Sequence, residues 1–160
     1  MTVEIANMEA MSSRPLFESG WEVAGIGNAE GFFSALPEIL PLPVHLCFEG
    51  TRISSDVRKL LAANTVPATL EIPPGTIWPK PSVFHVLATE QFLHEFVALA
   101  GKHAETEICD HFHAYNDRHG LLQWYDAFDL PLLIDSSITE ASLEGFCRKL
   151  GVQYARWRAI

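Results

Sequence analysis

The chain has 160 residues, a length that suits one domain and lets roughly 70% of the unfolded surface be buried without a disulfide or a metal. Hydrophobic residues make up 48% and charged residues only 19%, which excludes a disordered chain and predicts a packed core. The formal net charge is −9, and no Lys/Arg run can neutralise several adjacent phosphates, so nucleic acid is not an expected partner.

The acidity is uneven. Glu4, Glu9, Glu18, Glu22, Glu30 and Glu38 face only Arg14 in the N-terminal quarter, whereas Arg148, Lys149, Arg156 and Arg158 crowd the C-terminus. The basic tail reads as a solvated edge unless the two ends meet. Cys47, Cys109 and Cys147 are odd in number and none belongs to a Cys-x-x-Cys pair, so they read as buried, reduced, small hydrophobes. No positively charged start leads into an apolar stretch, and the apolar segments are broken well before the ~18 residues that a membrane span needs. The expectation is a cytoplasmic protein that neither spans a membrane nor carries a secretion signal.

Residues 1–15 are polar with no clear period and are expected to be loosely ordered or to dock as an arm, ahead of a single globular domain over 16–160. Trp21, Val23 and Ile26 suggest a short strand. Asn28 reads as the N-cap of a helix through Phe32, Phe33 and Leu36 that Pro37 ends. Val44, Leu46 and Phe48 alternate with His45, Cys47 and Glu49, the period of a half-buried strand that Gly50 closes. Ser54 or Ser55 caps a helix carrying Val57, Leu60 and Leu61. Ala68 to Ile72 is a strand candidate, followed by Pro73-Pro74-Gly75-Thr76-Ile77-Trp78-Pro79-Lys80-Pro81, whose four prolines demand a stiff surface loop.

Ser82 to Leu87 reads as a strand, and Thr89 caps a helix with Phe92, Leu93, Phe96 and Val97 inward and Gly101 as its stop. Glu107 to Tyr115 and Leu121 to Phe128 read as an antiparallel hairpin, with Asp117-x-x-Gly120 suiting a type I turn whose glycine is left-handed. Leu132 to Ile134 suggests a short edge strand. Asp135, Ser136 or Ser137 starts a helix carrying Leu143, Phe146, Cys147 and Leu150, which Gly151 stops before a last strand over Val152 to Trp157. The pattern predicts an α+β fold, a mostly antiparallel or mixed sheet with about four helices packed on it.

Two clusters carry candidate chemistry. His111 and His113 stand two apart on a strand and project from one face, as two metal ligands can. With Arg118 and His119 as the hairpin loop, Asp126 falls opposite His111 and Trp124 opposite His113, which offers an imidazole–carboxylate pair; a bulge at Gly120 would break that register. His45 and His85 lie on strands that can converge there, and Cys109 shares the expected face of His111. The alternative is that both histidines line an ordinary polar sheet face.

The second cluster is the proline loop, where Trp78 either stands out as a rigid contact surface or folds back over a sheet edge. Trp124 is a second candidate contact residue. Asp126, Asp129, Asp135 and Glu140 match no cation-binding loop. Gly25-Ile26-Gly27 and Gly31 miss the dinucleotide-binding spacing.

The reading that emerges is a small acidic binding or accessory protein that recognises another protein and needs no cofactor. The alternative is a metal-dependent or acid/base enzyme using His111, His113 and Asp126 with a divalent metal. A structural homo-oligomer formed through an edge strand is a third class.

Overall fold

Seven antiparallel strands form one sheet in the computed structural model, which describes residues 15–160. They are β1 (Ser19–Val23), β2 (Val44–Gly50), β3 (Ser82–Ala88), β4 (His111–Asn116), β5 (His119–Trp124), β6 (Leu132–Asp135) and β7 (Tyr154–Arg158), in the order β3-β2-β4-β5-β6-β1-β7. Four helices pack on this sheet: α1 (Ala29–Ala35), α2 (Ser55–Ala63), α3 (Glu90–Ala100) and α4 (Glu140–Leu150). The α+β class read from the sequence is the class observed. No helix among the described residues is long and apolar enough to cross a membrane. The expected arm over 1–15 lies, apart from Pro15, outside the described residues.

Local chemistry sets the helix ends. The Asn28 side chain accepts the Gly31 N–H at 2.7 Å, Thr89 accepts that of Phe92 at 3.1 Å, and Thr139 accepts that of Ser142 at 3.2 Å. Gly151, at φ 68°, closes α4 in the left-handed conformation that favours glycine.

Period two then divides the sheet into unlike faces. Leu46, Phe48, Val86, Phe112, Ala114, Leu122 and Trp124 form the apolar one and join a single core with the helices. Phe32 and Phe33 of α1 are its hub: Phe32 lies 4.7 Å from the Trp124 ring and 5.6 Å from Phe112, and Phe33 lies 4.7 Å from Phe96. Each fully buried ring contributes about 1.5–3 kcal/mol of transfer free energy, which is why α1 stays docked despite its two turns.

Four expectations need correction. Ala68 to Ile72 forms no strand; only Thr65, before it, bridges to Val86, and the prolines on both sides of the segment deny it a ladder. β6 is not an edge but lies between β5 and β1. Helix α4 starts after Thr139, because Asp135 is still paired with Gly20 in the sheet. In the hairpin the loop is Asp117-Arg118, with Asp117 taking φ 54°, and a register shift between Ala114 and Tyr115 leaves His113 opposite Gln123 and Phe112 opposite Trp124. Continuing that register brings Tyr125, rather than Asp126, opposite His111.

The second face carries His45, Cys47 and Glu49 of β2, His85 of β3, His111, His113 and Tyr115 of β4, and Gln123 of β5, all joined by direct cross-strand pairing. Polar groups facing one another across a sheet need a cover that supplies partners. The 65–81 segment is that cover. The Val66 N–H donates to the His85 carbonyl at 2.9 Å, and the Thr69 hydroxyl donates to the Asp117 carbonyl at 2.6 Å. At the far end the Tyr125 hydroxyl donates to the Pro73 carbonyl at 2.7 Å.

Candidate functional site

The centre of the polar face is Glu49, only 4% exposed. A buried carboxylate is costly unless donors surround it. Its Oε2 accepts the N–H of Gly75 at 3.0 Å and of Thr76 at 2.8 Å, with Oε1 taking a second, longer bond from Gly75 at 3.2 Å. Hydrogen bonds to a charged acceptor contribute about 1.5–3 kcal/mol each. Two consecutive main-chain groups of the proline loop are thereby fixed to the floor of the sheet.

His111 supports the same two residues. Its Nδ1 accepts the Asp126 N–H at 2.9 Å, so the ring proton sits on Nε2, 2.7 Å from the Thr76 hydroxyl and 3.5 Å from Glu49. Gly75 lies flat on this ring: a Cβ there would stand 2.5 Å from His111 Cδ2, a separation no side chain tolerates. Asp126 takes part through its main chain. Its carboxylate is 3.9 Å from Nδ1, and two acceptors facing each other make no bond.

His113 is buried more deeply. Its Nδ1 faces the Trp124 N–H at 3.4 Å, its Nε2 finds no hydrogen-bond partner among the described residues, and the Tyr125 ring covers it at 4.6 Å. Burial first, then the neighbouring His111 and His85, bring its pKa down to about 3, so the ring is neutral.

These bonds bear on the metal and acid/base expectations. An imidazole whose Nδ1 already accepts a main-chain N–H keeps its proton on Nε2 and has no lone pair for a metal or a substrate proton. Both His111 and His113 are in that state. Among the described residues no group of three His, Cys, Asp or Glu side chains could hold a metal ion. The residues present do not fit a metal centre.

His45 and His85 do share the face of His111 and His113. The His45 ring stacks on Tyr115 at 4.9 Å, and His85 lies between the Tyr115 hydroxyl, 2.8 Å from Nδ1, and the Cys47 sulfur, 3.7 Å from Nε2. Cys47 is not an activated thiol, since burial and the charge of Glu49 push it up to about 12. Cys109 lies in the hydrophobic core, where burial raises its pKa, and not on the polar face. Asp135, buried at the end of β6, accepts from Ser137 N–H at 3.2 Å and meets His119 Nε2 at 2.8 Å. That same Nε2 is 3.3 Å from the Ser137 hydroxyl, so one nitrogen serves both partners and no relay through the ring exists.

The two tryptophans separate cleanly. Trp124 is 1% exposed, packed on Phe32 and Phe128, and its indole N–H donates to the Leu130 carbonyl at 2.6 Å. It is a core residue, which corrects its reading as a contact residue. Trp78 is 85% exposed and Ile77 beside it 50%. The loop does not fold Trp78 back over a sheet edge.

Comparison with known protein families, with curated proteins and with solved structures finds no match. The chemistry of the site therefore follows from its own geometry: a buried polar floor fixes residues 75 and 76, and the next two side chains stand in solvent. Glu49, Gly75, Thr76 and Tyr125 escape sequence reasoning as members of this site. The available signal is a carboxylate at an inward strand position beside a Pro-Pro-Gly-Thr turn, which has no partner within its own strand. An apolar depression of about 470 Å³, lined by Phe33, Leu93 and Val97 among others, belongs to the helical side of the molecule.

Proposed function

We propose that the chain is a non-enzymatic binding protein that recognises another protein through the Ile77-Trp78 tip of the proline loop. The observation that carries this reading is the exposure of Trp78 immediately after two residues held by the buried Glu49 carboxylate. A tryptophan side chain presents on the order of 150–250 Å² of largely apolar surface. Held in water, that area leaves a few kcal/mol of transfer free energy to be gained when a partner covers it, at about 25 cal/mol per Å². A loop already fixed by its anchor and its prolines loses little further entropy on binding. Interface hot spots have this composition, a Trp in a position that a partner can fully desolvate.

The acid/base and metal alternative loses support because neither His111 nor His113 offers a free nitrogen lone pair. The test is affinity capture from the protein's own cells with wild type and Trp78→Ala side by side, scored by quantitative mass spectrometry. The proposal expects at least one protein retained by wild type and reduced roughly thirtyfold or more by the substitution, the scale of a hot-spot residue. Capture that is insensitive to Trp78→Ala refutes it.

A further inference from the structure

The sheet ends on two strands, β3 and β7, and they are finished differently. At β3 the 65–81 segment covers part of the edge: Thr65 bridges to Val86, and the Val66 N–H donates to the His85 carbonyl at 2.9 Å. At β7 nothing among the described residues does so. The Ala159 N–H donates to the Glu18 carbonyl, so in the β1 register Ala155 and Trp157 also turn their main-chain groups towards β1. Tyr154, Arg156 and Arg158 therefore turn theirs outward, where none of the three has a main-chain partner among the described residues. No proline or register shift interrupts β7, and an open row of donors and acceptors is a template for another strand.

Side chains on both faces of β7 select the strand that fits. Tyr154, Arg156 and Arg158 stand on the helical face, opposite Val23, Trp21 and Ser19 of β1. The Tyr154 hydroxyl lies 2.9 Å from Glu140 Oε1 and 3.3 Å from Glu144 Oε1, so two carboxylates of α4 meet at the end of that ring. Neither acid and neither arginine has an ion-pair partner among the described residues. On the opposite face Ala155 is exposed, and Trp157 is half-buried with its ring 5.9 Å from Phe17 in an edge-on contact. Glu18 and Glu22 are the charged groups beside it at β1.

We infer that this edge takes a second copy of the chain, its β7 added antiparallel to the first about a two-fold axis at Ala155. Outward residues must pair with outward residues, which leaves three symmetric registers: Arg156 opposite Arg156, Arg156 opposite Arg158, or Tyr154 opposite Arg156. The first two set like charges directly opposite one another, which destabilises a strand pair. In the third, Arg156 of each copy lies beside Tyr154 of the other on the same face, with Cα atoms about 5.5 Å apart. A guanidinium in that position runs along the tyrosine ring towards Glu140 and Glu144, so cations and acids that lack ion-pair partners within one copy complement each other across the axis. The two Arg156 residues become diagonal neighbours, each faced by two carboxylates. On the other face Ala155 meets Ala155, a small pair that leaves room for both Trp157 rings, and Arg158 falls opposite Val152. The proline loop stays open, since Glu49 and His111 anchor it on β2 and β4, away from β7 in the sheet order; the dimer presents Trp78 twice.

The experiment is cysteine cross-linking of the full chain on non-reducing gels, beside sedimentation velocity. The natural cysteines Cys47, Cys109 and Cys147 are buried and do not compete. In the inferred register Ala155 faces its own copy in a non-hydrogen-bonded pair, with Cα atoms about 4.5 Å apart, so Ala155→Cys should join two chains on mild oxidation. Arg156→Cys and Trp157→Cys, which report the two rejected registers, should stay uncrosslinked. Wild type should sediment as a monomer–dimer equilibrium with a roughly micromolar constant, the scale of a small interface. Arg156→Pro should abolish both the dimer and the Ala155→Cys cross-link with circular dichroism unchanged, because the N–H it removes faces outward and not β1. Arg156→Glu should weaken dimerisation about tenfold, and Glu140→Arg/Glu144→Arg added to it should restore the dimer. A wild-type chain that remains monomeric at about 100 μM, well above that constant, overturns the inference. So does cross-linking through position 156 or 157 in place of 155, or a dimer that survives Arg156→Pro.

Discussion

The buried carboxylate of Glu49 accepts the main-chain N–H of Thr76 at 2.8 Å, tying the middle of β2 to the residue just before the exposed Ile77-Trp78 pair. This bond makes one unit of two features that look separate in the sequence, the histidine-rich strand face and the proline loop. His111, Tyr125 and Glu49 hold the loop from below, and the loop in turn supplies the donors that a buried acid requires.

The two tryptophans give the simplest contrast. Trp78→Ala is expected to leave the urea midpoint within the ±0.5 kcal/mol typical of surface changes, whereas Trp124→Ala should cost about 3–5 kcal/mol through the cavity it opens beside Phe32. Equilibrium unfolding of both variants checks this. A large loss for Trp78→Ala would mean that its ring is buried in solution.

Gly75→Ala should displace the loop without unfolding the sheet, because the new methyl meets the His111 ring at 2.5 Å and the main chain must lift to accept it. The expected cost is about 1–3 kcal/mol, in the range of an overpacked core site. Fluorotryptophan NMR reads it directly: the Trp78 resonance should shift and the Trp124 resonance stay.

His113 sets an acid limit on stability. Its pKa falls from the ordinary 6.5 to about 3 in the folded protein, chiefly through burial. Below 6.5 the unfolded chain takes up a proton that the folded chain refuses, so the contribution is complete above that value and is lost as pH falls towards 3. The slope is on the order of 1.4 kcal/mol per pH unit. Urea titrations across this range should show the slope in wild type and a shallower one in His113→Gln.

A surface pair contains a histidine with the opposite dependence. The hydrogen bond that His103 donates to the Asp56 carboxylate raises the pKa of His103, and the same bond holds Asp56 down from 3.8 to about 2. The histidine contribution is full below 6.5 and disappears as pH rises through the raised folded value; the aspartate contribution is present above 3.8 and fades as pH falls towards 2. Melting temperatures of wild type and His103→Gln should differ most between those limits and converge in alkaline solution.

What the sequence makes legible is local. Asn28 and Thr89 are readable as caps because a side-chain oxygen before an apolar period has one common use. β2 and β3 are readable because Val44, Leu46 and Phe48, and Phe84, Val86 and Ala88, recur at every second position. The candidate site is legible only in its parts. His111 and His113 are correctly placed on one face, but the turn falls at Asp117-Arg118 rather than Arg118-His119, which displaces the pairing by two residues, and the shift between Ala114 and Tyr115 restores only one of them, so Asp126 stays out of register. Glu49 is hidden for another reason: its donors come from Gly75 and Thr76, residues 26 and 27 positions away, through main-chain groups that every residue possesses. Only the acceptor side of that bond, an acid at an inward strand position, leaves a mark in the sequence.

The most direct test of the account is amide hydrogen exchange at Gly75 and Thr76 in wild type and Glu49→Gln. If the Glu49 carboxylate anchors the loop, both amides are protected in wild type and lose most of that protection in the variant, while the β4 and β5 ladder amides keep theirs. Unchanged protection at Gly75 and Thr76 in Glu49→Gln would contradict the anchor, and with it the view that the buried histidine cluster exists to present Trp78.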